Sequence, residues 1–302
     1  MIVSNAKRRE EGHDMKSSGK IGNIDAGRNG DILIEIKNLF FAYEEKLVLK
    51  DINLSIKRGE RIAVMGSNGA GKSTFFLNLN GVLQPEKGEI WLEGKRVGKK
   101  DFKELRKKVG FVFQDADSQI IASNVRAEIS FGPVNLGLDR DETVKRVEDA
   151  VEYMSLSDLQ GRAPHYLSGG EKKRVSIADI LAMEPELFIF DEPMAALDPV
   201  NAEKVEEILQ RLHGDGKTLL IATHDVDFAY RFADRILVFA DGALIADGTP
   251  DEIFRISEIM ERAHLKKPSL MAVWETLARA GFVVNAAADC PRTLEQLAQK
   301  LL

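Results

Sequence analysis

The nine residues Gly66-Ser67-Asn68-Gly69-Ala70-Gly71-Lys72-Ser73-Thr74 decide how this chain is read. Gly66 and Gly71 bracket four residues and are followed by a lysine and a hydroxyl residue, the pattern of a loop that cradles phosphates. The reason is geometric: several backbone N–H groups must converge on a polyphosphate, and glycine permits the tight turn and the close approach. Lys72 would reach the terminal phosphates, and the Ser73 hydroxyl would sit on Mg²⁺. The flanks agree. Arg61-Ile62-Ala63-Val64-Met65 reads as a buried strand, and residues 73–79 read as a helix stopped near Gly81. The positive N-terminus of that helix would face the phosphates.

The whole chain bounds what such a loop can belong to. Its 302 residues leave ample length for a buried core, and 44% hydrophobic with 30% charged residues is an ordinary globular composition. A formal net charge of −6 argues against general electrostatic binding to nucleic acid. Cys290 is the one cysteine, which rules out an intrachain disulfide and points to a reducing compartment. No uninterrupted apolar run approaches the roughly 18 to 20 residues needed to span a bilayer, so a membrane role must come through a partner. Residues 1–30 mix charges, serines and glycines with few apolar residues and read as a disordered lead-in, without the apolar core of a signal peptide.

From Asp31 the pattern becomes regular. Ile32, Ile34 and Ile36 alternate with Leu33, Glu35 and Lys37, and residues 39–43 and 48–56 continue in strand style, an antiparallel entry to the core. Tyr43 is either an aromatic that stacks on a base or a half-exposed strand residue. A short strand over 89–93 follows the first helix, then a basic run of Lys95, Arg96, Lys99, Lys100, Lys103, Arg106, Lys107 and Lys108. Such a run can meet phosphates, but Asp101 and Glu104 interleave and no stacking aromatics accompany it, so a solvated amphipathic helix is expected. Residues 109–113 form a compact strand ending at Gln114, and strand ends in α/β sheets are where ligand sites form. Between 115 and 164 the spacing of Val144, Val147, Ala150, Val151 and Met154 is helical, an insert large enough to be a subdomain.

Leu167-Ser168-Gly169-Gly170-Glu171 closes the insert. Ser168 can cap the following helix, while the glycines let an oxyanion approach its free N–H groups. Asp191 ends the apolar strand Leu187-Phe188-Ile189-Phe190 and is suited to Mg²⁺, directly or through water. Glu192 beside it is placed to orient and deprotonate an attacking water. Asp198-Pro199 turns into a helix over 200–212, and the strand Thr218–Ala222 delivers His224, one α/β crossover beyond Asp191, where it could hydrogen-bond a γ-phosphate. The other histidines show no metal-ligand spacing. A hairpin turning at Asp241-Gly242 follows, and the tail reads as three helical pieces over 251–265, 269–280 and 293–302, with Leu270, Val273, Trp274 and Leu277 at amphipathic spacing.

Tyr43, the phosphate loop, Gln114, residues 167–171, Asp191-Glu192 and His224, in that order, together resemble the nucleotide-binding subunit of ABC transporters over about residues 32–250. The Ser168-Gly169-Gly170 signature separates that family from other phosphate-loop ATPases. The resemblance implies an α/β fold: a P-loop NTPase core of ABC ATPase type, with an antiparallel β subdomain, an inserted helical subdomain at about 115–168 and a small helical C-terminal extension over 251–302. It also implies a dimer in which ATP is sandwiched between one copy's phosphate loop and the other copy's signature. Tyr43 would then stack on adenine, Gln114 would sense Mg²⁺ and the membrane partner, and Asp198 would communicate between the two sites. Lys72, Glu192, His224 and Gln114 are the expected catalytic set, with Ser73, Gln114 and Asp191 on Mg²⁺.

Val112-Phe113-Gln114-Asp115-Ala116-Asp117-Ser118-Gln119 and Phe131-Gly132-Pro133-Val134-Asn135-Leu136-Gly137 are similar to the ATPases of energy-coupling-factor importers, in particular the cobalt and nickel branch. That family usually shows proline where this chain has Ala116 and glutamine where it has Glu171. Vitamin importers share the same stretch, which makes vitamin uptake the first alternative. A soluble ABC protein acting on ribosomes or DNA is the second. Such proteins usually carry two cassettes or a long coiled-coil insert, and this chain has one cassette and no heptad run. The expectation is an ATPase peripheral to the cytoplasmic face of the cell membrane, paired with a second ATPase subunit, preferably its own copy, and with integral membrane subunits. It would not bind nucleic acid.

Overall fold

The computed structural model describes residues 31–282 and 290–301, so the lead-in expected over 1–30 lies outside the described residues. The alternating start of the chain forms β1 (Ile32–Tyr43) and β2 (Lys46–Lys57), antiparallel partners in which Ile34 faces Ile56 and Ile36 faces Leu54. The two strand segments expected at 32–37 and 39–43 are one strand, because register shifts between Ile36 and Leu39 and again near Phe41 let it bend without breaking. Chain order then gives β3 (Arg61–Met65), α1 (Lys72–Leu79), β4 (Lys87–Leu92) and β5 (Lys95–Arg96). β4 and β5 complete a four-stranded antiparallel sheet of order β2-β1-β4-β5.

The basic run extends from β5 into α2 (Phe102–Lys108), and several of its charges are engaged by acids. Lys95 pairs with Asp101 at 3.0 Å, Arg96 with Glu89 at 3.1 Å, and Lys108 with Glu93 at 2.6 Å and Glu186 at 2.7 Å. β6 (Val109–Val112) is fully buried and stops one residue short of the expected Phe113. The insert holds α3 (Val125–Leu136) and α4 (Arg140–Tyr153), and α5 (Gly169–Leu181) returns the chain to the core. There follow β7 (Leu187–Asp191), α6 (Pro199–Gly214), β8 (Thr218–Ala222), α7 (Val226–Phe232), β9 (Arg235–Ala240) and β10 (Ala243–Gly248).

The second sheet has the order β10-β9-β3-β8-β7-β6, parallel except for β10. A parallel sheet covered on both faces needs strands apolar throughout, which is what β6, β7 and β8 show. On one face, Phe75 and Phe76 of α1 pack with Phe239 and Phe111 and join the antiparallel sheet in one core; on the other, Phe188, Phe190 and Leu219 meet α3 to α7. Because β3, β6, β7 and β8 run the same way, their C-terminal ends lie along one edge. The loops after them converge there.

The tail departs from the sequence reading in two places. The first helical piece breaks at Phe254 to Ile256 into α8 (Pro250–Ile253) and α9 (Ser257–Ala263), because Phe254 is drawn into the core beside Tyr230. In α10 (Ser269–Arg279) the buried face is Met271 and Trp274, while Val273 is turned to solvent. α11 (Leu294–Leu301) closes the described chain. No helix among the described residues is long and apolar enough to cross a membrane.

Candidate functional site

The phosphate loop leaves β3 at Gly66 and enters α1 at Lys72. Three of its residues have positive φ: Gly66 at 139°, Gly69 at 79° and Gly71 at 102°. At Gly66 a Cβ would stand 2.0 Å from the Phe239 carbonyl oxygen, so the bracket glycine is required by both conformation and space. Nothing lies within 4 Å of the equivalent position at Gly69, which is open toward the cleft. Gly71 caps α1 with no side-chain hydrogen bond, so the first N–H groups of the helix remain free for an anion.

Lys72 is buried, and its Nζ donates to the carbonyls of Gly66 at 2.7 Å and Ser67 at 3.1 Å. Burial lowers its pKa, while Glu192 and Asp191 pull the other way. The Ser73 hydroxyl donates to Asp191 Oδ2 at 2.7 Å across 118 residues of sequence. These are two hard oxygen donors at the mouth of the loop, as Mg²⁺ prefers. Among the described residues there is no group of three or more His, Cys, Asp or Glu able to hold a metal ion. Ser73 and Asp191 are suited to Mg²⁺.

Glu192 follows β7 with φ at 47°, a left-handed conformation uncommon for a non-glycine, and its N–H donates to Ala222 O at 3.1 Å. That bond ties the end of β7 to β8 and turns the carboxylate toward the cleft. Oε1 is buried without a hydrogen bond. His224 Nε2 lies 3.2 Å from it, near enough for electrostatic contact but outside hydrogen-bond geometry. Desolvation raises the Glu192 pKa to about 6, opposed by the backbone N–H of His224 and by Lys72. Desolvation and Lys72 both lower the pKa of His224, favouring a neutral imidazole. An orphaned carboxylate oxygen beside a lysine and a neutral imidazole is suited to accept a proton from water.

These groups line a cleft of about 870 Å³, which holds Tyr43, Asn68, Gly69, Gly71, Lys72, Ser73, Thr74, Gln114, Asp191, Glu192 and His224 together. Tyr43 is 47% exposed at the rim, held edge-on by Phe41 with ring centroids 4.9 Å apart. Gly66, Ser67 and Ala70 of the loop are not among the lining residues. The cleft also contains residues that sequence reading missed: Lys46, Val48 and Lys50 of β2 and the Asp241-Gly242 turn. Lys50 N–H donates to Gly242 O at 2.8 Å, and a Cβ on Gly242 would stand 2.1 Å from Val48 O. The only sequence trace of this wall is the Asp-Gly turn. That it meets a strand almost 200 positions earlier is not written locally.

Ser168, Gly169, Gly170 and Asp198 do not line the cleft. Ser168 caps α5 in a capping box: its Oγ accepts from the Glu171 N–H at 3.3 Å, and Glu171 Oε2 accepts from the Ser168 N–H at 2.7 Å and Oγ at 2.8 Å. Glutamic acid thus fills the role a glutamine would, and those bonds hold its pKa low. Gly170 is packed, since a Cβ there would be 2.3 Å from Asn201 Oδ1, whereas Gly169 has only Leu197 at 4.0 Å. Asp198 caps α6 by accepting from the Asn201 N–H at 3.0 Å. Asn201 therefore links Asp198 to the signature on a face outside the cleft.

The chain is similar to known proteins in sequence and in fold. The ABC transporter family profile matches residues 49–195. The energy-coupling factor transporter ATP-binding protein EcfA of Methanothermobacter thermautotrophicus is 46% identical over 268 residues, covering 88% of this chain and 86% of its own. Its namesake from Methanocaldococcus jannaschii is 46% identical over 248 residues, covering 81% and 89%. Among solved structures, CbiO1 of Clostridium perfringens, described as part of the ABC transporter complex CbiONQ, superposes with a TM-score of 0.69 at 38% identity, covering 83% of this chain and 98% of its own. A dimeric ATP-binding cassette in a post-hydrolysis state with ADP and Pi superposes with a TM-score of 0.64 at 29% identity, covering 72% and 99%.

Proposed function

The chain belongs to the ABC transporter family, among the ATPases of energy-coupling factor transporters, and on that premise we propose that it powers uptake of cobalt or nickel ions. Members of this family bind and hydrolyse ATP. Here Lys72, the amides of residues 66–74 and the N-terminus of α1 would receive the phosphates, and Tyr43 would stack on the base. Ser73 and Asp191, with Gln114, would hold Mg²⁺, which when bound neutralises phosphate charge. Glu192 would take the proton from the attacking water, while His224 donates to the γ-phosphate. Catalysis in this reading is positioning plus electrostatics.

One observation carries the mechanism: the cleft gathers Tyr43, Lys72, Ser73, Gln114, Asp191, Glu192 and His224 with four further residues of the phosphate loop, while the signature and Asp198 lie outside it. A single copy therefore holds half of two sites. A second copy would bring Ser168 and Gly169 to the first copy's nucleotide, and the completeness of both halves in one chain supports a homodimer. The test mixes two inactive variants. Lys72→Ala and Ser168→Arg each hydrolyse little alone, and together they should regain activity, because the mixed dimer holds one site with both halves intact. If mixed dimers form without any gain, the shared site is wrong.

The ion assignment rests on residues 112–119 and 131–137, which resemble the cobalt and nickel branch apart from Ala116, where proline is usual, and which vitamin importers share. Integral membrane subunits would hold the chain at the cytoplasmic face of the membrane. Labelled nickel or cobalt uptake in cells carrying Glu192→Gln should fall to background. Unchanged metal uptake with lost vitamin uptake would move the assignment to the vitamin branch.

A further inference from the structure

Gln114 is carried by backbone that does not rest on the sheet alone. β6 ends at Val112, and the next two residues are held from α5. Lys173, only 2% exposed, donates through Nζ to Phe113 O at 2.9 Å and Gln114 O at 2.7 Å. On the other side, the Phe113 N–H donates to Gln119 Oε1 at 3.2 Å. Gln119 Nε2 in turn donates to Ser176 O at 2.8 Å and Asp179 Oδ2 at 3.3 Å, so this second bridge ends on the same helix. Lys172 adds an ion pair to Asp117 at 2.6 Å. All three links run to α5, and the N-cap of α5 is Ser168.

A buried ammonium costs several kcal/mol in desolvation unless its protons are used, and surface lysines seldom hold loop carbonyls this way. Two backbone carbonyls on one buried Nζ amount to a rigid tie. Only about one turn of helix separates that tie from the signature. We infer that Lys173 is a positioning residue that makes the Gln114 backbone travel with the signature helix, so that engagement of Ser168 and Gly169 at one nucleotide sets Gln114 at the other. The inference rests on the two-site reading given under Proposed function and adds the physical link between the sites.

Lys173 does not line the cleft, so its effect should pass through Gln114. The rate of hydrolysis against ATP concentration, with ATP affinity measured alongside, is compared in the full-length protein for Gln114→Ala, Lys173→Met, Lys173→Gln and the Gln114→Ala/Lys173→Met double variant. Lys173→Met should lower kcat about ten- to hundredfold, the scale of a misplaced catalytic contact, with ATP affinity within about twofold. Lys173→Gln keeps a donor for the carbonyls and should recover most of the loss. The double variant should be no slower than Gln114→Ala alone. Fully additive losses, or a normal kcat in Lys173→Met while Gln114→Ala is slow, overturn the inference. If Gln114→Ala itself turns over normally, the reading of Gln114 fails and the positioning role goes with it. Should Lys173→Met not fold, Gln119→Leu cuts the second bridge at a half-buried side chain and is held to the same outcomes.

Discussion

Glu192→Gln should do two opposite things to this protein, and the structure sets the size of both. The carboxylate is 84% shielded and its pKa is pushed from 4.5 to about 6 by burial. For an acid raised in the folded state, the cost is absent below the unfolded pKa and fully present above the folded one. Folding is therefore opposed by this group as pH rises through about 4.5 to 6, by about 2 kcal/mol once both states are ionised. Glutamine keeps the shape and removes the charge, so the nucleotide-free variant should be more stable above pH 7 and equal to wild type near pH 4. At roughly 2–4 °C per kcal/mol for a domain of this size, the melting temperature should rise by about 4–8 °C at pH 7.5. Turnover should fall by about 10²- to 10⁴-fold, the usual contribution of a general base. Thermal melts across pH and phosphate release on the same preparations read both effects. Turnover within threefold of wild type sinks Glu192 as the base; a melting difference that is the same at pH 4.5 and 7.5 sinks burial as the cause of its shift.

The same pKa predicts that wild-type kcat/KM rises with pH through about 6 and then levels, and an acid-limb midpoint below 5 would contradict it. Gly66→Ala should abolish folding or ATP binding, since its Cβ meets the Phe239 carbonyl at 2.0 Å, whereas Gly69→Ala meets nothing within 4 Å and should cost only backbone strain of about 1–2 kcal/mol. Equal melting temperatures for the two would refute that ranking. Chelating Mg²⁺ with EDTA should stop hydrolysis in wild type, and Asp191→Asn should raise the Mg²⁺ concentration for half-maximal rate; an unchanged requirement would remove Asp191 from the metal. Tyr43→Ala should weaken ATP binding by about 1–3 kcal/mol if the ring stacks on the base, while Tyr43→Trp should retain it, as equilibrium titration would show.

Much of the molecule was legible before any coordinates, because its information is local. The phosphate loop, the capping Ser168 and the apolar runs of β3, β7 and β8 are short patterns whose physics acts between near neighbours in the chain: glycine conformations, free helix N–H groups, and strands buried on both faces. Such patterns placed Lys72, Ser73, Asp191, Glu192 and His224 at the ends of elements, which is why the residues expected to meet do meet. The limits of elements were less legible where a distant contact wins over a local preference. Phe254 breaks a helix to reach Tyr230, and β1 runs on through its bulges because β2 and β4 pair with it on both sides.

Tertiary structure alone decided three things. The Asp241-Gly242 turn closes against β2 as a wall of the cleft, a contact between segments nearly 200 residues apart. The signature, which the resemblance assigns to a second copy's nucleotide, is packed through Gly170 against Asn201 on a face away from this chain's own cleft. Lys173, which in sequence is one more charge in a basic helix start, is buried with its ammonium on the backbone of Gln114. Each depends on which surfaces the sheet order brings face to face. Periodicity and motif spacing describe each element, and the positions of elements relative to one another follow only when all of the core is packed at once.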